Sequence, residues 1–396
     1  MQTAMRAASR IVVICAFLAA AILTVAFLVF RPSEPEAAAG RPQAAQLQSD
    51  WPMFRGRPDL AGIAEGVLPD SPQLLWKFKT GGPVKSSAAV VDNIVYLAST
   101  DANTYAVDAQ NGHQMWAYKT DGEIEGAPCV LDGIVFIGSS DEHVYALDAK
   151  TGVLKWKYKT DGKILGSPNW VTADDKKRII IGSYDNRLHC LDIDNGTPIW
   201  TYETDNFING TPAVGDGKIA FGGCDALAHI IDANSGAKIS GIDSGAYIAG
   251  SGAFAGGSFY VGNYDGLFIK ADVASGKIAW KYEGSDQPYF SSPAISDSKV
   301  LIGARDSRLH CLDAANGKPL WTFTALGEID SSPVICGDKV IFGSEDGRIY
   351  MVRLENGEKV WAYEVGQPVT SSPAIASGNV YIGCDDGFLY AFGPKN

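Results

Sequence analysis

The sequence predicts an all-β chain, an eight-bladed β-propeller of four-stranded antiparallel blades. Three observations carry that expectation. The first is a spacing: an Asp, a Gly and a Trp recur in step at Asp108-Gly112-Trp116, Asp148-Gly152-Trp156, Asp192-Gly196-Trp200, Asp272-Gly276-Trp280 and Asp313-Gly317-Trp321. The copies are about forty residues apart, a period that signals a solenoid or a propeller. Two further copies are incomplete, with Ser240 in place of the Trp after Asp232-Gly236 and Arg353 in place of the Asp before Gly357-Trp361. The second observation is the content of each unit. Runs such as 331–335, 340–344 and 348–352, then the Trp-bearing run, alternate β-branched and aromatic residues between Gly/Asp turns, the pattern of antiparallel strands. Four strands in such a repeat make one propeller blade.

The third observation is a count. The Asp before the third strand occurs eight times, at Asp101, Asp141, Asp185, Asp225, Asp265, Asp306, Asp346 and Asp386. The Trp strand also occurs eight times, counting the Ser240 copy, but starts one unit early at Trp76. The last unit stops near Phe392-Gly393 without its fourth strand. Residues 74–80 are therefore expected to complete the blade begun by 369–392, which would close the ring and remove free sheet edges.

The remaining segments follow in order. Residues 1–10 read as a cytoplasmic stub carrying Arg6 and Arg10. Residues 11–30 are apolar with Thr24 as the mildly polar exception, long enough for a transmembrane signal-anchor helix. The alternative is a signal peptide cleaved near Ala37-Ala38-Ala39. The basic flank stays inside, which places the propeller outside, in the periplasm of a bacterial envelope, or secreted if the segment is cleaved. Residues 31–50 read as a flexible linker. Residues 51–73, opening on Trp51-Pro52-Met53-Phe54-Arg55-Gly56, read as a segment that docks on the propeller of 74–396.

Charge narrows the function classes. Residues 1–50 carry four Arg against Glu34, Glu36 and Asp50, so residues 51–396 carry -13 of the chain total of -12. Such a domain repels phosphate backbones, and nucleic acid is not an expected partner. The seven Cys form no CxxC pair and read as small buried thiols. His189, His229 and His310 occupy a repeat position held elsewhere by Tyr105, Tyr145, Tyr350 and Tyr390. That column asks for a flat ring with a polar tip rather than a metal ligand.

The repeated Asp-Gly-Trp spacing resembles the tryptophan-docking motif of pyrroloquinoline-quinone (PQQ) type propellers. Trp-Asp and Gly-His do not recur at the repeat spacing, so a WD40 propeller is not expected. The resemblance covers residues 74–393. It implies the eight-bladed fold and a family that includes quinoprotein alcohol dehydrogenases and the outer-membrane assembly factor BamB. The fold alone does not specify the function.

Positions alike in most blades serve the blade. They include Trp76, Trp116, Trp156, Trp200, Trp280, Trp321 and Trp361, expected as rings wedged between neighbouring blades, and the eight Asp as turn acceptors. Positions that differ between blades point to function. Just before the Ser-Ser-Pro position stand Lys85, Glu125, Leu165, Asn209, Ala249, Phe290, Asp330 and Thr370, expected to ring the channel. Phe207, Tyr247, Tyr289 and Phe290 are expected to form an aromatic arc at its mouth, where a peptide or small ligand binds. The alternative is that these rings plug the channel. The same sector is irregular elsewhere, with Ser240 for Trp and Lys270 in the third strand of blade five. No catalytic, cofactor-binding or metal set is expected. PQQ with calcium, as in a quinoprotein dehydrogenase, is the alternative the resemblance implies. It needs several cations and clustered oxygen ligands, whereas the ring offers Lys85 and scattered carboxylates. The expected function is a membrane-anchored scaffold without catalysis that binds an envelope protein or peptide. A ligand-sensing ectodomain is a further alternative.

Overall fold

The computed structural model describes residues 50–395. The expected stub, membrane helix and nearly all of the linker lie outside them. Among the described residues no helix is long and apolar enough to cross a membrane.

Eight blades of four antiparallel strands follow one another along the chain, and the seventh gains a fifth, parallel strand from Ile63–Ala64. Blade 2 shows the pattern: Cys129–Leu131 innermost, then Ile134–Gly138, His143–Asp148 and the Trp strand Leu154–Lys159. Blade 8 takes Ala374–Ala376, Asn379–Gly383 and Phe388–Gly393 from the C-terminal end and Gln73–Lys79 from the N-terminal end. Leu74 pairs with Phe392 and Trp76 with Ala391. Every Trp strand carries a register shift just before its Trp, or before Ser240 in blade 4.

Side-chain columns hold the blades together. The indole N–H of Trp116 donates to Ala149 O of the next blade at 3.0 Å, and Trp156 donates likewise to Ile193 O. Gly152 has φ of 71° and lies so close to Trp116 that a Cβ would stand 2.7 Å from the ring. Glycine is needed there twice over, for the turn and for the docked indole. The Tyr/His column shares one acceptor set. Tyr145 Oη donates to Asp141 at 2.7 Å, and the Nε2 atoms of His229 and His310 reach Asp225 and Asp306 at 2.8 and 2.9 Å. With His189 and Asp185, these histidines and their aspartates are buried pairs within single blades.

The Asp turns behave as expected in seven blades, for example Arg348 N–H to Asp346 at 2.9 Å. Blade 5 differs. There Asn263 Oδ1 accepts the turn N–H groups of Asp265 and Leu267, and Asp265 is exposed. Hydroxyls join the blades around the axis. Ser167 Oγ accepts Ala127 N–H, Thr211 Oγ1 accepts Ser167 N–H, and Ser251 Oγ accepts Thr211 N–H, each across a blade boundary.

Residues 51–64 form a belt across the inner-strand ends. Trp51 pairs with Val90 of blade 1, Pro52 O accepts Val130 N–H of blade 2, and Pro58 O accepts Val214 N–H of blade 4. Asp59, Ala61 and Gly62 carbonyls accept from Phe254, Ile295 and Ile335 of blades 5, 6 and 7. Ile63–Ala64 then runs parallel to Val334–Cys336. Arg55 is buried beneath the belt, its Nη2 donating to Pro293 O at 2.9 Å.

Candidate functional site: the channel mouth

Each inner strand runs from a mouth loop to the belt. One backbone bond fixes every loop: the N–H of the residue before the third-strand Asp donates to the loop carbonyl. Thr100 to Pro83, Tyr184 to Lys163, Tyr264 to Tyr247 and Glu345 to Glu328 are four of eight such bonds. Two side-chain columns thereby stand together over the ring, and both vary from blade to blade.

The structure brings Lys85, Glu125, Leu165, Asn209, Ala249, Phe290 and Asp330 into one cavity of about 180 Å³, lined from the belt side by Phe54. Thr370 turns aside and donates to Asp385 at 3.2 Å. Asn209 Nδ2 contacts Cys224 Sγ at 3.4 Å, while its Oδ1 is buried without a partner. Phe207 and Tyr247 stand at the mouth, 43% and 39% exposed.

Tyr289 is a correction. It is fully buried, with its ring against Phe268 and His310. Its counterparts in the other blades are Val84, Ile124, Ile164, Ile208, Ile248, Ile329 and Val369, all buried. All but Ile124, for which Ala98 holds the equivalent position, seat the side chain on a second-strand glycine, as Ile164 does on Gly138 and Tyr289 on Gly262. The position is a core column that happens to hold an aromatic in blade 6, and side chains alternate along a strand, so Phe290 faces the channel instead.

Three mouth residues escaped the sequence reading: Tyr184, Tyr264 and Arg305. They belong to the column before the repeated Asp (Thr100, Ser140, Tyr184, Cys224, Tyr264, Arg305, Glu345, Asp385), whose blade-to-blade variation was the available signal. Tyr184 stacks on Phe207 with centroids 4.6 Å apart and planes 5° apart. Tyr264 stacks on Tyr247 at 4.2 Å and meets Phe290 edge-on at 5.9 Å. The Arg305 guanidinium lies 3.8 Å above the Phe290 ring. It also grips Asp330 in a two-pronged pair at 3.0 and 2.7 Å and reaches Glu328 at 3.2 Å. Two aromatic groups, Tyr184–Phe207 and Tyr247–Tyr264–Phe290, thus line the mouth from blade 3 to blade 6, and the second leads through Arg305 to a carboxylate cluster.

That cluster, Glu328, Asp330 and Glu345, gathers carboxylate oxygens within 4.8 Å of one another. Burial pushes the Glu345 carboxyl above its ordinary range, with Asp330 and Glu328 adding repulsion. The hydrogen bond to Asp330 in turn raises Arg305. The guanidinium pairs with Glu328 and Asp330 and so offsets part of the group's charge, leaving Glu345 without an ion pair to it. PQQ with calcium fits poorly. Ligand pockets run from about 300 to 1,000 Å³, whereas the cavity is about 180 Å³ and has Phe54 at its belt side. Its lining offers a polycarboxylate Lys85 alone among cations, and Arg305 outside it is paired with Asp330.

An eight-bladed ring with docked tryptophans and short loops defines the PQQ-type propeller class. The chain belongs to that family: the family model described as outer membrane protein assembly factor BamB matches residues 62–173 and 224–391. A second model, described as the β-propeller domain of glucose/ethanol/alcohol dehydrogenases, matches residues 120–288. A comparison with curated proteins finds no match. Among solved structures, BamB from Moraxella catarrhalis is similar at 17% identity and TM-score 0.69, covering 82% of this chain and 100% of that one. Quinohemoprotein alcohol dehydrogenase from Comamonas testosteroni is similar at 14% and 0.73, covering 88% and 81%. The computationally designed Ika8 protein gives 18% and 0.71, covering 81% and 100%. At these identities the likeness shows the fold.

Proposed function

We propose that this chain is a non-catalytic scaffold of the cell envelope, anchored in the inner membrane through residues 11–30 with its propeller in the periplasm, that binds a partner protein or peptide at the channel mouth. The pairing of Gln73–Lys79 with Phe388–Gly393 latches the ring that presents this mouth. The observation that carries the reading is the exposed wall Phe207–Tyr184, Tyr247–Tyr264–Phe290 beside the Glu328–Asp330–Glu345 group. Stacked aromatic faces on a concave surface are the residue types that anchor protein interfaces. The ring and the two loop-linked mouth columns together carry Lys85, Lys163 and Arg305 against Glu123, Glu125, Glu328, Asp330, Glu345 and Asp385. An acidic mouth selects a basic, extended segment whose apolar side chains lie on the rings. The likeness to BamB supports a partner that is a protein. The mouth's strongest ion pair is structural, which supports a surface that binds rather than reacts.

Photo-crosslinkers placed at Phe207 and Tyr247 in cells test the reading. Both are expected to trap the same envelope protein, while a probe at exposed Met115 on an outer strand does not. Calorimetric titration with PQQ and calcium covers the enzyme alternative. Saturable micromolar binding there would overturn the scaffold reading, as would adducts that fail to distinguish Phe207 from Met115.

A further inference from the structure

A second cavity, of about 490 Å³, opens at the belt face between blades 5 and 6, at the other end of the inner strands from the mouth. Belt residues Arg57–Ile63 form one side. Phe254, Tyr260 and Ile295 supply an apolar wall, and Lys270 reaches in from the third strand of blade 5.

Lys270 is out of place for the repeat. It pairs across the sheet with Trp280, and in every other blade the residue opposite the Trp, or opposite Ser240, is apolar and fully buried. Those residues are Ala106, Ala146, Cys190, Ile230, Cys311, Met351 and Ala391. Cys and Met serve at this position, so the blade itself has no need of a charge. A half-buried ammonium here loses hydration and requires a compensating group. Its hydrogen bond, 3.1 Å to Ala314 O, does not explain it, because that carbonyl already accepts the Trp280 indole N–H at 3.2 Å, as its counterparts do in other blades. The Tyr260 ring, 5.3 Å from Nζ, offers only a weak partner. Among the described residues no carboxylate forms an ion pair with Lys270; Asp272, two residues along the same strand, feels its charge without contact. Of the three other charges in the lining, Arg57 holds Asp59 at 2.9 Å, and Asp297 stands exposed at the rim. The cavity therefore presents one ammonium with no carboxylate in ion-pair contact, against apolar and aromatic surface, at a volume within the usual range for small-ligand sites.

We propose that this belt-face cavity binds a small organic monocarboxylate with an apolar or aromatic body, whose carboxylate pairs with Lys270 Nζ. Phe254, Tyr260 and Ile295 bury the body, and the ammonium supplies charge-assisted hydrogen bonds.

The test is a fluorescence titration of the full chain with 2-naphthoate and with its neutral analogue 2-naphthamide. Saturable binding of naphthoate, with the amide at least about tenfold weaker, is expected from the loss of one charge-assisted bond. Lys270→Met installs the side chain that blade 7 carries at Met351. It is expected to keep the unfolding midpoint at or above that of the parent and to weaken naphthoate by about tenfold or more. Phe207→Ala, at the opposite face, should leave naphthoate affinity unchanged, which separates this site from the aromatic mouth. Equal affinity for naphthoate and naphthamide, equal affinity in Lys270→Met, or no saturable binding to the parent chain would each overturn the proposal. Because the amide comparison uses the parent protein, it decides the matter even if the variant folds poorly.

Discussion

Ala226 sits in left-handed backbone, with φ of 65°, at a position where all eight blades need positive φ. Gly266, Gly347 and Gly387 meet that need without strain, whereas Ala102, Glu142, Asn186, Ala226 and Ser307 do not. Left-handed strain in a residue with a Cβ is about 1–2 kcal/mol, and the greater freedom of glycine in the unfolded chain offsets about 0.4–1 kcal/mol of it. Ala226→Gly should therefore raise stability by about 0.5–1 kcal/mol, read as a higher urea midpoint; a fall would show that the turn is not strained. Tyr289 offers a second residue-scale test. Its hydroxyl is buried without a partner, and burial pushes its ionisation up. Tyr289→Phe should hold or raise stability, by about 1 kcal/mol at most. A loss of more than that would mean the hydroxyl is bonded in solution. The sequence revealed the turn, since an Asp stood before it in every blade. It hid Tyr289, because an aromatic in an aliphatic column looks like a surface feature until the column is aligned.

Strands and their docking columns set the element scale. Trp156 is buried and bonds Ile193 O of the next blade. Trp156→Ala should cost about 3–5 kcal/mol in chemical unfolding. Ser240 occupies the same position in blade 4, and its Oγ is buried without a partner. Ser240→Ala should change stability by less than about 1 kcal/mol. If the two variants were equally harmful, the indole would not be what joins the blades. The Tyr/His column gives a pH prediction. Burial lowers the pKa of His229 below its ordinary 6.5, with Asp225 opposing. The unfolded chain then binds the proton more readily, so stability falls as pH drops through the unfolded value. Asp101 adds a second, lower step. Burial raises its carboxyl, but hydrogen bonds from Tyr105, Gly81 and Asn103 outweigh it and leave the pKa below 3.8. That stability is present above the ordinary carboxylate range and lost as pH falls through the folded value. His229→Tyr, the residue used in four sister blades, should flatten the decline in urea midpoint between pH 7.5 and 5.5; an unchanged slope would remove His229 as its cause. These columns were readable in the sequence because each repeats at one step per blade, and repetition separates framework from function without any relative to compare.

For the whole molecule, blade 8 draws strands from both ends of the described chain. A form beginning at residue 80 leaves Phe388–Gly393 as a free apolar edge, a template for pairing with another chain. It should aggregate and lose its cooperative thermal transition. A form beginning at residue 50 retains belt and strand and should unfold in one step at the parent temperature. Should both forms behave alike in sedimentation and circular dichroism, the pairing would not be what holds the ring. The belt is also why the cavity behind Lys270 exists: Arg57–Ile63 supply a wall that no blade provides.

The sequence by itself determined the blade. Turn glycines, docked tryptophans and alternating strands are local signals, and repetition multiplied them until fold class and blade number could be read. It also placed Lys85, Glu125, Asn209 and Asp330 around one axis, because equivalent positions in a ring must converge. Only the tertiary structure decided what lies between blades. The stacking of Tyr184 on Phe207, the grip of Arg305 on Asp330 and the burial of Tyr289 depend on side chains from neighbouring repeats meeting at a distance. No period along the chain encodes those meetings, since each is made once.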